Sequence, residues 1–401
     1  MRRCSKAVAL GTQLLLGAAL ALAPSGSRAG EGGERPKPSS RQRLDYIRRA
    51  RVWESTDVST KDLFAGPAGR LPLSVGDEVG CEFVPKPMSG WTEKFSCRLE
   101  DGSVVKVKYD EGGKYKEVFG EVLGTRLFWA LGFYADRMIP VHMTCHGCPE
   151  HPWKFVDARK KLPVNGEGQI TTFPADAHLG TYRFDLAAVE EKIDAETIET
   201  KDKQGWRWKA LDDVVDTEGG ATTAEIDALE LLNAFVQNAD NKSRQNRLAC
   251  PRAALTVDPA GDASCRSPIM YVDDLGSVFG NGGFSTGNSG RIDYAGWKAR
   301  RVWRDSEACR ARLTSVGGIF RTSTLKDPLI GEEGRVLLSR LLAELSDSQI
   351  ADLFRAARIE SLHQTLEDGA DGEREVTVAD WVELFKQKRS EITEHPGCPP
   401  R

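Results

Sequence analysis

The sequence predicts an α+β protein of two lobes: a small N-terminal antiparallel β-sheet lobe with one helix, then a larger, mainly helical C-terminal lobe. Two observations carry this. Short β-rich runs separated by turn residues cluster between Cys81 and Met143, whereas helix-start signals and long periodic apolar patterns dominate after Thr222. Beyond its lead-in the chain has about 355 residues of ordinary apolar content, which suits one two-lobed domain or two close-packed ones.

The first residues stand apart from this fold. Arg2, Arg3 and Lys6 precede an apolar run from Ala7 to Ala23, and Ser27-Arg28-Ala29 supplies small residues for a signal peptidase. An export signal over 1–29 is therefore expected, with the mature chain periplasmic or secreted. A membrane anchor is the alternative, but the run is short and broken by Gly11, Thr12 and Gln13, and no stable membrane span is expected after cleavage. Cys4 lies too early for a lipoprotein anchor. Removing four basic residues leaves 51 basic against 59 acidic side chains, a net charge of −8, which argues against nucleic acid as a general partner. Residues 30–45 form a Gly-, Pro- and Ser-rich lead-in. The two lobes are then expected over 46–180 and 181–401, in a monomer.

Eight cysteines survive signal cleavage: Cys81, Cys97, Cys145, Cys148, Cys250, Cys265, Cys309 and Cys398. An even number in an exported chain reads as a set of disulfides. Cys81/Cys97 and Cys250/Cys265 each flank a hairpin, Cys145 and Cys148 are close neighbours, and Cys309/Cys398 remain by elimination.

Three strands are expected at Cys81–Val84, Lys94–Leu99 and Val104–Tyr109, the last two joined by the turn Asp101-Gly102. Ser89 and Gly90 lie in the loop between the first two, which could cover phosphates with backbone amides or be an ordinary hairpin loop. Lys106 and Lys108, two apart, share one strand face, so one of them reaches a ligand. Lys106 is preferred because the strand continues beyond it; Lys108 is the runner-up. Solvated edge charges are the alternative for both.

The periodic segment from Glu117 to Leu131 reads as a helix stopped by Gly132. On it, Glu121 is the candidate to hold the strand lysine in an ion pair, with a surface arginine as the alternative partner. A strand over Met138–Met143 then leads into His142, Cys145, Cys148 and His151, whose spacing suits either zinc or a disulfide. Pro149, directly after the second cysteine, excludes covalent haem attachment.

In the second half, His178–Phe184 reads as a strand and Asp185–Ile193 as the start of a helix. The paired Trp206 and Trp208 read as packing. Thr222 and Glu225 form a capping box that opens a helix with Ile226, Leu229, Leu232 and Val236 as its buried stripe. That helix runs into a polar loop, Asp240-Asn241-Lys242-Ser243-Arg244-Gln245-Asn246. Two strands, Arg247–Ala254 and Ser267–Val272, follow around Asp258–Asp262 and present Asp274-Leu275-Gly276.

The order Ser89-Gly90, Lys106, Glu121, Asp240 to Asn246 and Asp274-Leu275-Gly276 resembles atypical kinases. It is similar to the HipA-like group, more loosely to lipid kinases and to exported kinases of the CotH and secretory-pathway types, and it looks like a group of exported bacterial proteins with the same cysteine pattern. The resemblance covers about residues 80–285 and implies a bilobal kinase-like fold using ATP with Mg²⁺, or Mn²⁺ in its place. It also implies phosphoryl transfer to an unidentified acceptor. Asp240 would be the catalytic aspartate, Lys242 would neutralise the transferred phosphoryl, and Asp274, with Asn246 or Gln245, would hold the metal. Ser89, Gly90, Lys106 or Lys108, and Glu121 would form the nucleotide side. This chain departs from the family pattern in having Gln245 five residues after Asp240, with Asn246 one later, and Ala239 where a basic residue commonly stands.

Further on, Gly280–Gly290 lies where an activation loop would be, and Trp297–Arg304 mixes basic and aromatic residues as an amphipathic surface or an anion-holding one. Helices are expected at Glu332–Leu345, Asp347–Arg358 and Val378–Thr393, with an acidic loop over Glu367–Glu375. Two other functions fit the same residues: an inactive kinase fold acting as an extracytoplasmic binding protein, and a structural metal protein built on the His and Cys cluster.

Overall fold

A computed structural model of the chain describes residues 37–110, 116–200, 205–258, 263–282, 291–313, 324–367 and 372–401. The expected export signal, most of the lead-in, the turn 259–262, residues 283–290 of the expected activation loop and part of the acidic loop lie outside them. Lys37–Arg401 form one compact unit.

Helix α1 (Ser40–Arg48) opens with a capping box between Ser39 and Gln42. The β-rich runs then close into a barrel. Strands β1 (Glu78–Val84), β2 (Lys94–Arg98) and β3 (Val104–Tyr109) form a meander, and helix α2 (Glu117–Ala130) crosses to β4 (Arg137–Cys148). Helix α3 (Pro152–Val156) precedes β5 (Gly180–Glu191), and the strand order around the barrel is β1-β2-β3-β5-β4.

Alternation sorts the strand faces. Phe95, Cys97, Val107, Tyr109, Val141 and Val189 fill the barrel interior. Phe184 packs against Phe95 and Tyr109 there, at ring-centroid distances of 5.2 and 4.8 Å. Lys94, Ser96, Lys106 and Lys108 alternate with these residues and so line the outer face of β2 and β3.

Two expectations are corrected here. The sheet is not purely antiparallel, because β4 pairs parallel with β1 and thereby closes the barrel. Asp185–Ile193 does not begin a helix: β5 continues to Glu191 and pairs with both β3 and β4. Its run Ala187-Ala188-Val189 is buried on both faces, so it lacks the alternation that would mark a strand. The sheet thus extends beyond residue 180, where the first lobe was expected to end.

The second half contains β6 (Ala195–Thr197), α4 (Thr223–Phe235), β7 (Asn246–Pro251), the small pair β8 (Leu255–Val257) and β9 (Ala263–Cys265), and β10 (Ile269–Val272). Strands β10, β7 and β6 form a three-stranded sheet. Next come α5 (Tyr294–Ala299), β11 (Trp303–Asp305), β12 (Arg310–Ala311), α6 (Glu332–Ala343) and α7 (Asp347–Ala356). The chain ends with β13 (Thr365–Glu367), β14 (Glu373–Glu375) and α8 (Val378–Thr393).

Capping boxes open α4 at Thr222, α7 at Ser346 and α8 at Thr377. Trp297 and Trp381 stack at 6.0 Å in the helical core, so the Trp297–Arg304 stretch has a buried aromatic side. Disulfides join Cys81–Cys97, Cys145–Cys148, Cys250–Cys265 and Cys309–Cys398. Both thiols of the expected zinc alternative are therefore in a disulfide, and His142 faces Asp185 at 3.2 Å. Among the described residues no helix is long and apolar enough to cross a membrane.

Candidate functional site

The lysine that meets Glu121 is Lys108, not the preferred Lys106. Register decides this: Lys106 lies directly opposite Glu190 of β5 and pairs with it at 2.5 Å, while Lys108, two residues further along, pairs with Glu121 of α2. Glu190 also lies 3.4 Å from Lys108. Burial opposes the Lys108 charge, but Glu121, Glu190 and Asp274 outweigh it and raise its pKa. Burial likewise opposes the Glu190 charge, and Lys108, Lys192 and Lys106 together hold that carboxyl well below the usual range.

Helix α2 carries a face of small residues that admits the Asp274 segment. A Cβ on Gly120 would lie 2.4 Å from the Gly276 carbonyl oxygen, and one on Gly124 would lie 2.7 Å from the Leu275 side chain. Glu117 and Glu121 flank this contact, each 3.2 Å from where a Gly276 Cβ would be. The Asp274 carboxylate accepts from the Gly276 amide at 3.2 Å, a local turn that fixes it at the end of β10. Burial, Asp274 and Glu121 push the Glu117 carboxyl up to about 8.

The loop after α4 is joined to this segment by backbone hydrogen bonds. The Gln245 carbonyl accepts from the Asp273 and Asp274 amides at 2.7 and 3.3 Å, and the Ala239 amide donates to the Ser277 carbonyl at 2.9 Å. Within the loop, Asp240 pairs with Lys242 at 2.5 Å and accepts from the Gln245 side-chain amide at 3.2 Å. Asn241 is fully buried and exchanges hydrogen bonds with the backbone of Asn238 and Leu325. Gln245 thus touches Asp240 with its side chain and Asp274 with its backbone.

The two amides behave differently. Asn246 begins β7 and donates to the Trp206 carbonyl at 3.0 Å, whereas Gln245 faces Asp240. The side-chain oxygens of both are buried and lack a hydrogen-bond partner among the described residues. A carboxylate such as Asp274 and an unpartnered amide oxygen are hard donors of the kind that Mg²⁺ or Mn²⁺ takes. Asp273 is committed elsewhere, to Lys192 at 2.6 Å and Arg247 at 3.0 Å.

The Ser89-Gly90 loop is tied to α3 through hydrogen bonds of the Met88 backbone with Val156 and Ala158, at 2.7 and 2.8 Å. It reaches Lys94, whose ammonium lies 2.7 Å from where a Gly90 Cβ would stand. Sequence reasoning missed Lys94, Glu117, Glu190 and Gly120. The readable signal was a pair of glycines four apart inside an otherwise strong helix, where each costs about 1 kcal/mol and so marks a close approach. Glu190 had no such signal, because its strand was read as helix.

No family model matches the chain, and no curated protein matches it. Solved structures similar to it include the proinflammatory kinase CtkA of Helicobacter pylori, at 11% identity over 80% of this chain and 96% of that one, with a TM-score of 0.41. A Golgi casein kinase with Mn/ADP bound is similar at 10% identity over 80% and 73%, TM-score 0.31. The HipA, HipB and operator DNA complex of Shewanella oneidensis is similar at 11% identity over 93% and 73%, TM-score 0.25. At these scores the functional reading rests on the geometry of the site.

Proposed function

We propose that the chain is an exported kinase-like phosphotransferase that moves the ATP γ-phosphate to an as yet unidentified acceptor. The observation that carries this reading is the buried Lys108–Glu121 pair set against the Asp274 segment, which is itself bonded to the Asp240 loop. In this reading the barrel through Glu191 and α2 form the nucleotide lobe, and the chain beyond forms the catalytic lobe.

ATP with a divalent metal supplies the transferable phosphoryl group. Lys108, kept charged by its carboxylates, contacts the phosphates, and Asp274 with the Gln245 oxygen holds the metal. Asp240 orients the acceptor hydroxyl and takes its proton, while Lys242, already paired with Asp240, offsets charge on the phosphoryl in transfer.

The position of Asn246, held by Trp206, favours a second reading, an inactive kinase fold that binds a nucleotide or partner without turnover. Steady ATP consumption by the disulfide-intact chain, lost in Asp240→Ala, supports transfer. Metal-dependent nucleotide binding with no consumption supports the second reading, and no nucleotide binding at all overturns transfer and leaves only the binding of another partner.

A further inference from the structure

Lys94 and Lys108 stand directly opposite each other across β2 and β3, and Lys106 shares their face. Like charges directly opposite destabilise a strand pair, and burial deepens the cost. Lys94 is 9% exposed and Lys108 7%.

Their surroundings differ. Lys108 is compensated by Glu121 and Glu190, and Lys106 by Glu190. The Lys94 ammonium has no carboxylate or hydrogen-bond partner among the described residues and lies 5.4 Å from the Trp153 ring centroid. The charged groups that act on it are Lys106 and Lys108 of β3, Glu117 and Glu121 of α2, and Asp274. Burial, with Lys108 and Lys106, pushes its ammonium down to about 8. Gly90 packs directly against it, so that an added Cβ would lie 2.7 Å from the ammonium, in a backbone conformation of φ +107°.

We propose that Lys94 is a polyphosphate-binding residue, which with Lys108 clamps the phosphate chain of a nucleotide beneath Gly90. Phosphate oxygens between the two ammonium groups turn a buried repulsion into two charge-assisted hydrogen bonds, and lysine suits this role as a compact point charge. The nucleotide as the source of the phosphates rests on the function proposed above. The polyphosphate chemistry rests on the lysine pair itself.

The test is calorimetric titration of the disulfide-intact chain with ATP and Mg²⁺, with adenosine, and with pyrophosphate, comparing wild type, Lys94→Met and Lys94→Arg. Lys94→Met is expected to weaken ATP and pyrophosphate about tenfold or more, the size of one lost charge-assisted hydrogen bond, and to leave adenosine unchanged. Lys94→Arg retains most of the affinity, and Lys94→Met melts at or above wild type, which shows that it folds. Wild-type affinity of Lys94→Met for ATP and pyrophosphate overturns the role of Lys94 and leaves the nucleotide site standing. Lys94-dependent pyrophosphate binding without ATP binding keeps the clamp and overturns the nucleotide reading. Failure of wild type to bind either overturns both.

Discussion

Lys108 of β3 and Glu121 of α2 form an ion pair in which both side chains are nearly inaccessible, 8% and 4% exposed. A buried pair is costly to break from one side, because Glu121, whose carboxyl burial already pushes up, is left without its nearest cation. Lys108→Met is therefore expected to destabilise the chain by about 3–5 kcal/mol in denaturant melts and to abolish nucleotide binding. The double variant Lys108→Met/Glu121→Met should recover most of the stability and none of the binding. Lys106→Met should cost less, since Glu190 keeps Lys108 and Lys192.

Gly120→Ala separates two opposing effects. Helix propensity alone favours alanine by up to about 1 kcal/mol. The approach of the Gly276 carbonyl, at 2.4 Å from an added Cβ, should reverse that sign and destabilise by about 1–3 kcal/mol, with weaker metal-dependent nucleotide binding. A Gly120→Ala protein that melts above wild type would show that α2 does not press on the Asp274 segment.

The disulfides should differ in worth with the length of chain they close. Cys309–Cys398 spans 89 residues and Cys145–Cys148 spans 3. By loop-closure entropy the first contributes roughly 4–5 kcal/mol and the second about 2 kcal/mol. Cys398→Ser also loosens the tail, whose Cys398 amide donates to Glu332 at 2.7 Å and whose Arg401 pairs with Asp227 at 2.6 Å. Urea melts of the two single-disulfide deletions test the order, and a larger loss at Cys145 would refute it.

Glu230 of α4 gives a pH dependence. Burial, with Asp227 and Asp212 and against Arg401, pushes its carboxyl from near 4.5 up to about 8. Between those values the folded chain binds the extra proton, so this group's contribution is fully present below about 4.5 and is lost as pH rises towards 8. Glu230→Gln should flatten the fall of melting temperature between pH 5 and 8, and an unchanged slope would assign it to other groups.

How much of this was legible follows from which forces act locally. Strands β1 to β3 and helix α2 announced themselves by period and turn residues, the Thr222 capping box marked α4, and helix-start signals marked α7 and α8. The disulfide partners followed from hairpin spacing and elimination. Strand β5 was misread because burial on both faces erases alternation. Choosing Lys108 over Lys106 required cross-strand register, and register places Glu190 opposite Lys106 only once β5 is known. The difference between Gln245 and Asn246 depends on Trp206, 40 residues away, whose carbonyl holds Asn246.

The most direct measurement of the central claim is a thermal-shift titration of the disulfide-intact chain with ATP and Mg²⁺ or Mn²⁺, wild type beside Asp274→Ala. At 100 times the dissociation constant, ligand should stabilise wild type by about 2.7 kcal/mol. The account predicts a shift that requires metal and vanishes in Asp274→Ala. An equal, metal-dependent shift in both proteins would contradict it.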